Sequence, residues 1–206
     1  MVICDKCSRH KLTFNRPYAP NEFIEGNPKA DVWIIGLNPK EEPKSCSSED
    51  LHTALDDETN RHPYFKDFAK VSLKLKLNSR GNVAHTDLVK CHSGTWLKSA
   101  VAKREVIKDC IPYLSQQLNE HLPRVIVCNG ADVSREIRKI ILPSSKLASN
   151  ETQYDAEFHG RTVTVILSGF IGRLDNFAKR RLGREIEEAL DKRLELPACL
   201  PSPDPL

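Results

Sequence analysis

The chain has 206 residues, of which 39% are hydrophobic and 29% charged, so it can bury a core, and this composition argues against wholesale disorder. Its 31 Lys and Arg against 28 Asp and Glu give a net charge of +3, which does not by itself imply a polyanionic partner. No apolar run approaches the ~20 residues needed to cross a bilayer, and the first residues lack the apolar segment of a secretory signal. We therefore expect a cytoplasmic protein with no membrane contact.

The predicted elements alternate between strands and helices. Short apolar runs predict buried strands over 30–36, 83–89 and 124–128, and β-branched runs predict a hairpin or strand pair within 157–167. Apolar residues at helical spacing predict helices over 64–77, 103–120, 131–141 and 174–194. The segments 40–62 and 143–156 are predicted loops. This alternation predicts an α/β domain with a mainly parallel sheet over 1–195, followed by a disordered, Pro-rich tail over 196–206.

Functional residues of a parallel sheet gather at the carboxyl ends of its strands. In this chain those ends are predicted at 36–39, 85–87, 129–130 and 168–170. We therefore look for the chemistry of the protein in these four short segments.

The cysteines form a second candidate constellation. Seven is an odd number for a disulfide scaffold, and an intracellular chain keeps its thiols reduced. Cys4 and Cys7 have the Cys-x-x-Cys spacing that grips one metal, and two distant cysteines, Cys91 and Cys110, can complete four ligands for a [4Fe–4S] cluster or tetrahedral Zn²⁺. Alternatively, Cys91 and Cys110 are ordinary buried residues. The remaining cysteines are interpreted as bystanders: Cys46, Cys128 and Cys199.

Taken in order, five segments resemble the family 4 uracil-DNA glycosylases, the iron–sulfur branch of that superfamily. The matching segments are 4–7, 32–39, 86–91, 110–114 and 123–130. Each motif alone is weak, but their joint order is specific. The resemblance implies a three-layer α/β/α sandwich with a central four-stranded sheet. It also implies that Cys4, Cys7, Cys91 and Cys110 hold a [4Fe–4S] cluster.

The first catalytic motif of the family follows the first strand. Here it reads Gly-Leu-Asn-Pro-Lys over 36–40, whereas family 4 typically has Gly-Glu-Ala-Pro-Gly. The version with Asn before Pro is similar to the mismatch-specific and single-strand-selective branches, which implies that Asn38 positions the attacking water. A carboxamide at a strand end can also hold a water without ionising. The alternative is that Asn38-Pro39 is only a turn. Gly36 and Leu37 are assigned to the base pocket, and Lys40 to DNA contact.

An extruded base needs a ring to stack on. Tyr64, in His62-Pro63-Tyr64-Phe65, resembles the Pro-Phe element of the family, whose aromatic side chain stacks on the base. Phe65 is the second candidate. The alternative is an ordinary core aromatic at the start of a helix.

Two departures from the family concern the base and the leaving group. Asp87 replaces the Asn that reads the uracil edge, and an ionised Asp can only accept hydrogen bonds. Either Asp87 is protonated in an apolar pocket, or the base is not uracil. Ser168 stands at the catalytic position where the family has the His of a His-Pro-Ser motif, and this loss weakens stabilisation of the departing base. As replacements, His85, His92 and His159 are candidates only by position.

Contacts to DNA are expected from the loop that follows Ser168. Ile171 is assigned as a wedge into the minor groove, and Arg173 as a phosphate contact, together with basic residues of the last helix. The alternative for those helix charges is a solvated face balanced by Glu185, Glu187 and Glu188.

Together these features predict a monomeric, monofunctional DNA glycosylase that releases a deaminated base, uracil by family default. No lysine is placed as a clear Schiff-base nucleophile. Three alternatives stay open: a glycosylase for another base, a non-catalytic iron–sulfur nucleic-acid-binding protein, and a zinc-bound structural domain with no role on DNA.

Overall fold

A computed structural model describes residues 2–39, 47–59, 61–93 and 97–194. Its strands are β1 Val2–Cys4, β2 Phe14–Arg16, β3 Glu25–Gly26, β4 Val32–Gly36, β5 Val83–Asp87, β6 Val125–Asn129, β7 Gln153–Phe158 and β8 Arg161–Ser168. Its α-helices are α1 Ser48–Thr53, α2 Pro63–Val71, α3 Ala100–His121, α4 Ala131–Ile140 and α5 Asn176–Leu194. The predicted Lys40, Cys46, Cys199 and tail 196–206 lie outside the described residues.

The main sheet has six strands in the order β3-β5-β4-β6-β8-β7. The four central strands are parallel to one another, and the two edge strands pair antiparallel to their neighbours. The prediction of an α/β fold with a mainly parallel sheet is confirmed: the three predicted strands, together with β8 from the predicted hairpin, form the parallel centre. The sheet nevertheless has six strands rather than four, because β3 and β7 extend its edges.

Helices cover both faces of this sheet, as the three-layer prediction requires. Along β4, Trp33 and Ile35 point into a core shared with α3 and α4, whereas Val32 and Ile34 point into a second core shared with α2 and α5. Successive side chains of a strand face opposite sides, so a strand that is buried on both faces reads as a continuous apolar run. This is why β4 was recognisable from sequence.

The helix predicted over 64–77 ends earlier, at Val71. Ser72 adopts an extended backbone, and its hydroxyl donates to the Glu187 carboxylate of α5 and accepts from the Lys74 backbone amide. Leu75 and Leu77 still lie in the core, so the apolar spacing continues in non-helical chain. The helical spacing of the apolar residues therefore correctly predicted that Leu75 is buried, although the helix ends at Val71.

The segment predicted as a loop over 40–62 contains α1. Ser47 caps this helix by accepting a hydrogen bond of 3.1 Å from the Asp50 amide, and Leu51 is fully buried. A single apolar residue in a short polar helix leaves no periodic pattern, which explains the missed element. Within the described residues, no helix is both long and apolar enough to span a membrane.

Candidate functional site

The carboxyl ends of the parallel strands meet at one edge of the sheet. The segments that follow β4 and β5 continue side by side. The Leu88 and Val89 amides donate to the Gly36 and Leu37 carbonyls, each at 2.9 Å, and the Ser93 amide donates to the Pro39 carbonyl at 3.1 Å. Asn38 and Asp87 are carried on these adjacent segments.

The Asn38 side chain is held in one orientation. Its Nδ2 donates to the Pro39 and Ser93 carbonyls, both at 3.1 Å. Among the described residues no donor contacts its Oδ1. The side chain is half-buried, so this oxygen can accept a hydrogen bond from a water or ligand at the strand end.

The Asp87 carboxylate lies over Gly36. A Cβ atom at position 36 would come 2.1 Å from Asp87 Oδ1 and 3.0 Å from His85 Nε2. Position 36 therefore has to be glycine for Asp87 and His85 to occupy the places they have.

Several ionisable side chains surround Asp87. Burial raises the pKa of Asp87 to about 6; the imidazole of His85 and the ammonium of Lys90 lower it, and the Glu25 carboxylate raises it further. Burial favours neutral His85, but the Asp87 and Glu25 carboxylates outweigh this and raise the pKa of His85. Burial lowers the pKa of Lys90 to about 7. The site therefore holds titratable groups that change charge near neutral pH.

A chain of hydrogen bonds runs behind the site. The Ile171 amide donates to Asn129 Oδ1 at 2.7 Å, and Asn129 Nδ2 donates to Tyr64 Oη at 3.0 Å. Tyr64 Oη lies 3.3 Å from His85 Nε2, and His85 Nδ1 lies 2.8 Å from Glu25 Oε2. Because Oδ1 of Asn129 is already used as an acceptor, its amide must present hydrogens to Tyr64.

Sequence reasoning did not assign Glu25 or Asn129 to the site, and it ranked His85 only by position. Asn129 ends β6, so its strand-end position was an available signal. Glu25 lies on a two-residue edge strand opposite His85, and a strand that short has no pattern to read.

Tyr64 and Phe65 differ in their exposure. Tyr64 is half-buried, with its hydroxyl in the chain just described, whereas Phe65 is only 7% exposed and belongs to the core between α2 and the sheet. Of the two predicted stacking candidates, Tyr64 is the one at the strand ends.

The loop after β8 places its side chains differently from the prediction. Ile171 is fully buried in the core, which does not fit a wedge into DNA, and Phe170, at 48% exposure, is the apolar side chain that the loop presents. Arg173 is exposed. The Ser168 hydroxyl donates to the Gly169 carbonyl at 3.0 Å, and Ser168 lines a cleft of about 370 Å³ with Arg135 and Arg138.

Cysteines from three segments of the chain come together: the N-terminal segment, the chain that follows β5, and α3. The thiol of Cys7 interacts with those of Cys91 and Cys110, and hydrogen bonds from Cys7 and then Cys91 lower the pKa of Cys110. The Cys4 sulfur lies 3.4 Å from Tyr113 Oη, one helical turn beyond Cys110. By contrast, Cys128 is buried in β6, where burial raises the pKa of its thiol.

In the described part of the chain, no three His, Cys, Asp or Glu side chains are arranged as ligands of a single metal ion. The donor set is nevertheless four thiols, with Cys7, Cys91 and Cys110 at 1–3% exposure. Thiolates are the ligands of iron–sulfur clusters and of structural zinc. The chemistry of these four residues therefore fits such a group.

The chain matches the family model described as the uracil DNA glycosylase superfamily over residues 23–205. A search of curated proteins gives no match. The matched region contains all six strands of the main sheet and the helices on both of its faces, and it begins after Cys4 and Cys7. The chain therefore belongs to the uracil-DNA glycosylase superfamily.

Proposed function

We propose that the protein is a monofunctional DNA glycosylase, which hydrolyses the N-glycosidic bond of a flipped-out, deaminated base during base excision repair. The superfamily acts on DNA and consists generally of glycosylases. The observation that carries the proposal is that Asn38 and Asp87 lie on adjacent segments at the ends of β4 and β5, with Asp87 3.9 Å from His85, whose ring contacts Tyr64.

Asn38 is proposed to orient the attacking water. Glycosidic cleavage passes through an oxocarbenium-like transition state, so a weak nucleophile is sufficient once it is well placed. Nδ2 of Asn38 is held by two carbonyls, which leaves Oδ1 as the atom to accept a hydrogen from that water. The Asn-Pro motif supports a likeness to the mismatch-specific and single-strand-selective branches at this position.

Lys90 supports the monofunctional assignment. A lyase step requires an amine that can attack the sugar. Nζ of Lys90 is instead buried and bound to Thr86 Oγ1, the Asp87 carbonyl and Gln117 Oε1 at 2.6–2.7 Å. Strand cleavage by this lysine is therefore not expected.

Asp87 is proposed to read the edge of the base. In its protonated form it can donate to a carbonyl such as O4 of uracil, and in its ionised form it can only accept, as from an exocyclic amino group. The raised pKa of Asp87, caused by burial, supports a role for the protonated form. Release of a base other than uracil is the alternative that the same carboxyl group allows.

Phosphate contacts are proposed for Arg173 and for the exposed arginines of α5. Arg180, Arg181 and Arg184 lie with Phe177 around an open cleft, whereas Lys179 is paired with Asp67 at 3.3 Å. Lys40 is assigned to DNA from sequence alone. Such contacts provide affinity and no sequence preference.

Cys4, Cys7, Cys91 and Cys110 are proposed to hold a [4Fe–4S] cluster, as in the family 4 branch. The cluster would link the N-terminal segment to the chain after β5 and to α3; the hydrolysis itself needs no electron transfer. The meeting of Cys7, Cys91 and Cys110 supports this proposal. Zinc is the alternative for the same four thiols.

Purified protein incubated with DNA should release one base from a panel containing uracil, hypoxanthine, xanthine and mismatched normal bases, in single and double strands. Alkali then cleaves the abasic product, and omission of alkali should leave the strand intact if no lyase step occurs. Binding to these DNAs without release of any base would instead favour the non-catalytic nucleic-acid-binding alternative. The observation behind that alternative is the presence of Ser168 where the family has a histidine.

Replacing Cys91 with serine should remove the bound iron and lower stability by several kcal/mol, because a structural metal group contributes directly to folding. Iron, sulfide and zinc content, the visible absorbance of the cluster and the thermal midpoint would be measured. Cys128→Ala is the matched control, since it alters another buried cysteine outside the group and should keep the metal. Full iron content in Cys91→Ser would refute this ligand assignment, and zinc without iron would refute the cluster.

A further inference from the structure

The ring of Tyr64 is fixed from several sides. Its hydroxyl accepts from Asn129 Nδ2 at 3.0 Å and lies 3.3 Å from His85 Nε2. Phe65 and Phe68 meet the ring edge-on, with centroid distances of 4.9 and 5.2 Å and interplanar angles of 81° and 69°. Turning the ring would break these contacts together, so Tyr64 provides a rigid surface.

Phe170 lies against this ring in a different geometry. The two centroids are 6.3 Å apart and the planes differ by only 26°, the one near-parallel ring contact of Tyr64 among the described residues. Carbon atoms in contact are about 3.5–4.0 Å apart, so a flat group between two rings needs them separated by about 7 Å. Phe170 therefore has to move outward before a flat group can enter between the rings.

The loop after β8 lets the Phe170 ring move, while hydrogen bonds hold the backbone of the loop in place. The Phe170 side chain is 48% exposed. The Arg173 amide donates to the Phe170 carbonyl at 2.8 Å, and the Ile171 amide donates to Asn129 at 2.7 Å. A Cβ at Gly172 would come 2.8 Å from Phe170 Cε1, so glycine at this position leaves the space that the ring occupies.

Polar groups lie at the hydroxyl end of the Tyr64 ring. His85 Nε2, which contacts the Tyr64 hydroxyl, is 3.9 Å from Asp87 Oδ1. A flat heterocycle between the rings would therefore direct an edge toward these polar groups while both of its faces contact aromatic carbon. This combination suits a nucleobase, which has two π faces and a hydrogen-bonding edge.

We propose that Phe170 and Tyr64 form the two walls of a slot that receives the extruded base, so that Phe170 is a base-contacting residue of this enzyme. The inference rests on the proposed function for its substrate. It extends that function by assigning stacking on both faces of the base.

Phe170→Ala should lower the single-turnover rate of base release roughly 5- to 150-fold, the range for loss of one base–aromatic stack. DNA affinity should change less than about threefold, because phosphate contacts dominate it. Phe170→Tyr should keep the rate, whereas Phe170→Leu should be as slow as the alanine variant. Leu73→Ala is the control, since Leu73 is 95% exposed just after α2 and has no part in the proposed site. A rate unchanged in Phe170→Ala, or restored by leucine, would overturn the slot.

A binding measurement separates failure of the slot from failure of the proposed function. In protein labelled with fluorophenylalanine, the ¹⁹F resonance of Phe170, assigned with Phe170→Leu, should shift saturably with free uracil or free hypoxanthine, and that of Phe177 should not. A shift in a protein that releases no base would retain the slot and reject the glycosylase. Base release without any shift at Phe170 and without a rate loss in Phe170→Ala would retain the glycosylase and reject the slot.

Discussion

Replacing Asn38 with alanine should lower the single-turnover rate of base release at least about 100-fold, the cost expected when a reacting group is misplaced. Oδ1 is the atom proposed to hold the attacking water, and the amide is oriented by two hydrogen bonds of 3.1 Å to the Pro39 and Ser93 carbonyls. The rate would be measured with enzyme in excess over the DNA of the panel that is cleaved, so that product release does not limit it.

Two further variants sharpen this test. Asn38→Asp should also be slow, because a carboxylate would face two carbonyl oxygens where the amide now donates to them. Asn15→Ala removes an exposed asparagine from β2 and should leave the rate unchanged. Circular dichroism and DNA affinity should be the same in all three variants. An undiminished rate in Asn38→Ala would remove Asn38 from its proposed role.

Replacing Asp87 with asparagine should raise uracil release relative to the wild type above pH 7, by a factor that grows to about 100 or more, because buried edge contacts dominate discrimination between bases. Burial raises the pKa of Asp87 to about 6. Below that pH the wild-type carboxyl is neutral and can donate to O4 of uracil; above it the carboxylate repels O4. Wild-type uracil release should therefore fall as pH rises through 6, whereas the asparagine variant should not share this fall.

The comparison rests on the ratio of the two rates at each pH, which cancels the titrations of groups that do not interact with Asp87. The Asp87 carboxylate raises the pKa of His85 and of Lys90, so Asp87→Asn should also lower those two pKa values. Stability provides a second reading. Because the pKa of Asp87 is higher in the folded protein than in the unfolded chain, ionisation of this carboxyl lowers the free energy of unfolding of the wild type as the pH rises. Asp87→Asn does not have this loss, so its stability relative to the wild type should increase between pH 4 and pH 7. Uracil release that is equal in both proteins at all pH values would show that Asp87 does not read the base.

The parallel centre of the sheet was predictable because each of its strands is buried on both faces. Continuous apolar runs such as 32–36 and 125–128 reflect that burial directly. The edge strands were less predictable: β3 has two residues, and only the end of β7 fell within the hairpin predicted over 157–167, because β7 alternates buried Tyr154 and Ala156 with more exposed neighbours. Edge strands need one apolar face at most, so their pattern is weaker.

The sequence by itself determined the superfamily resemblance, the central strands and the presence of Asn38 and Asp87 at strand ends, since parallel strands bring their carboxyl ends to one edge. Only the tertiary structure decided which side chains face that edge. It turns Ile171 into the core and leaves Phe170 exposed beside Tyr64. It also places Glu25 against His85 from a strand 60 residues earlier. The direction of a loop side chain depends on packing between distant segments, and local spacing carries no record of that packing.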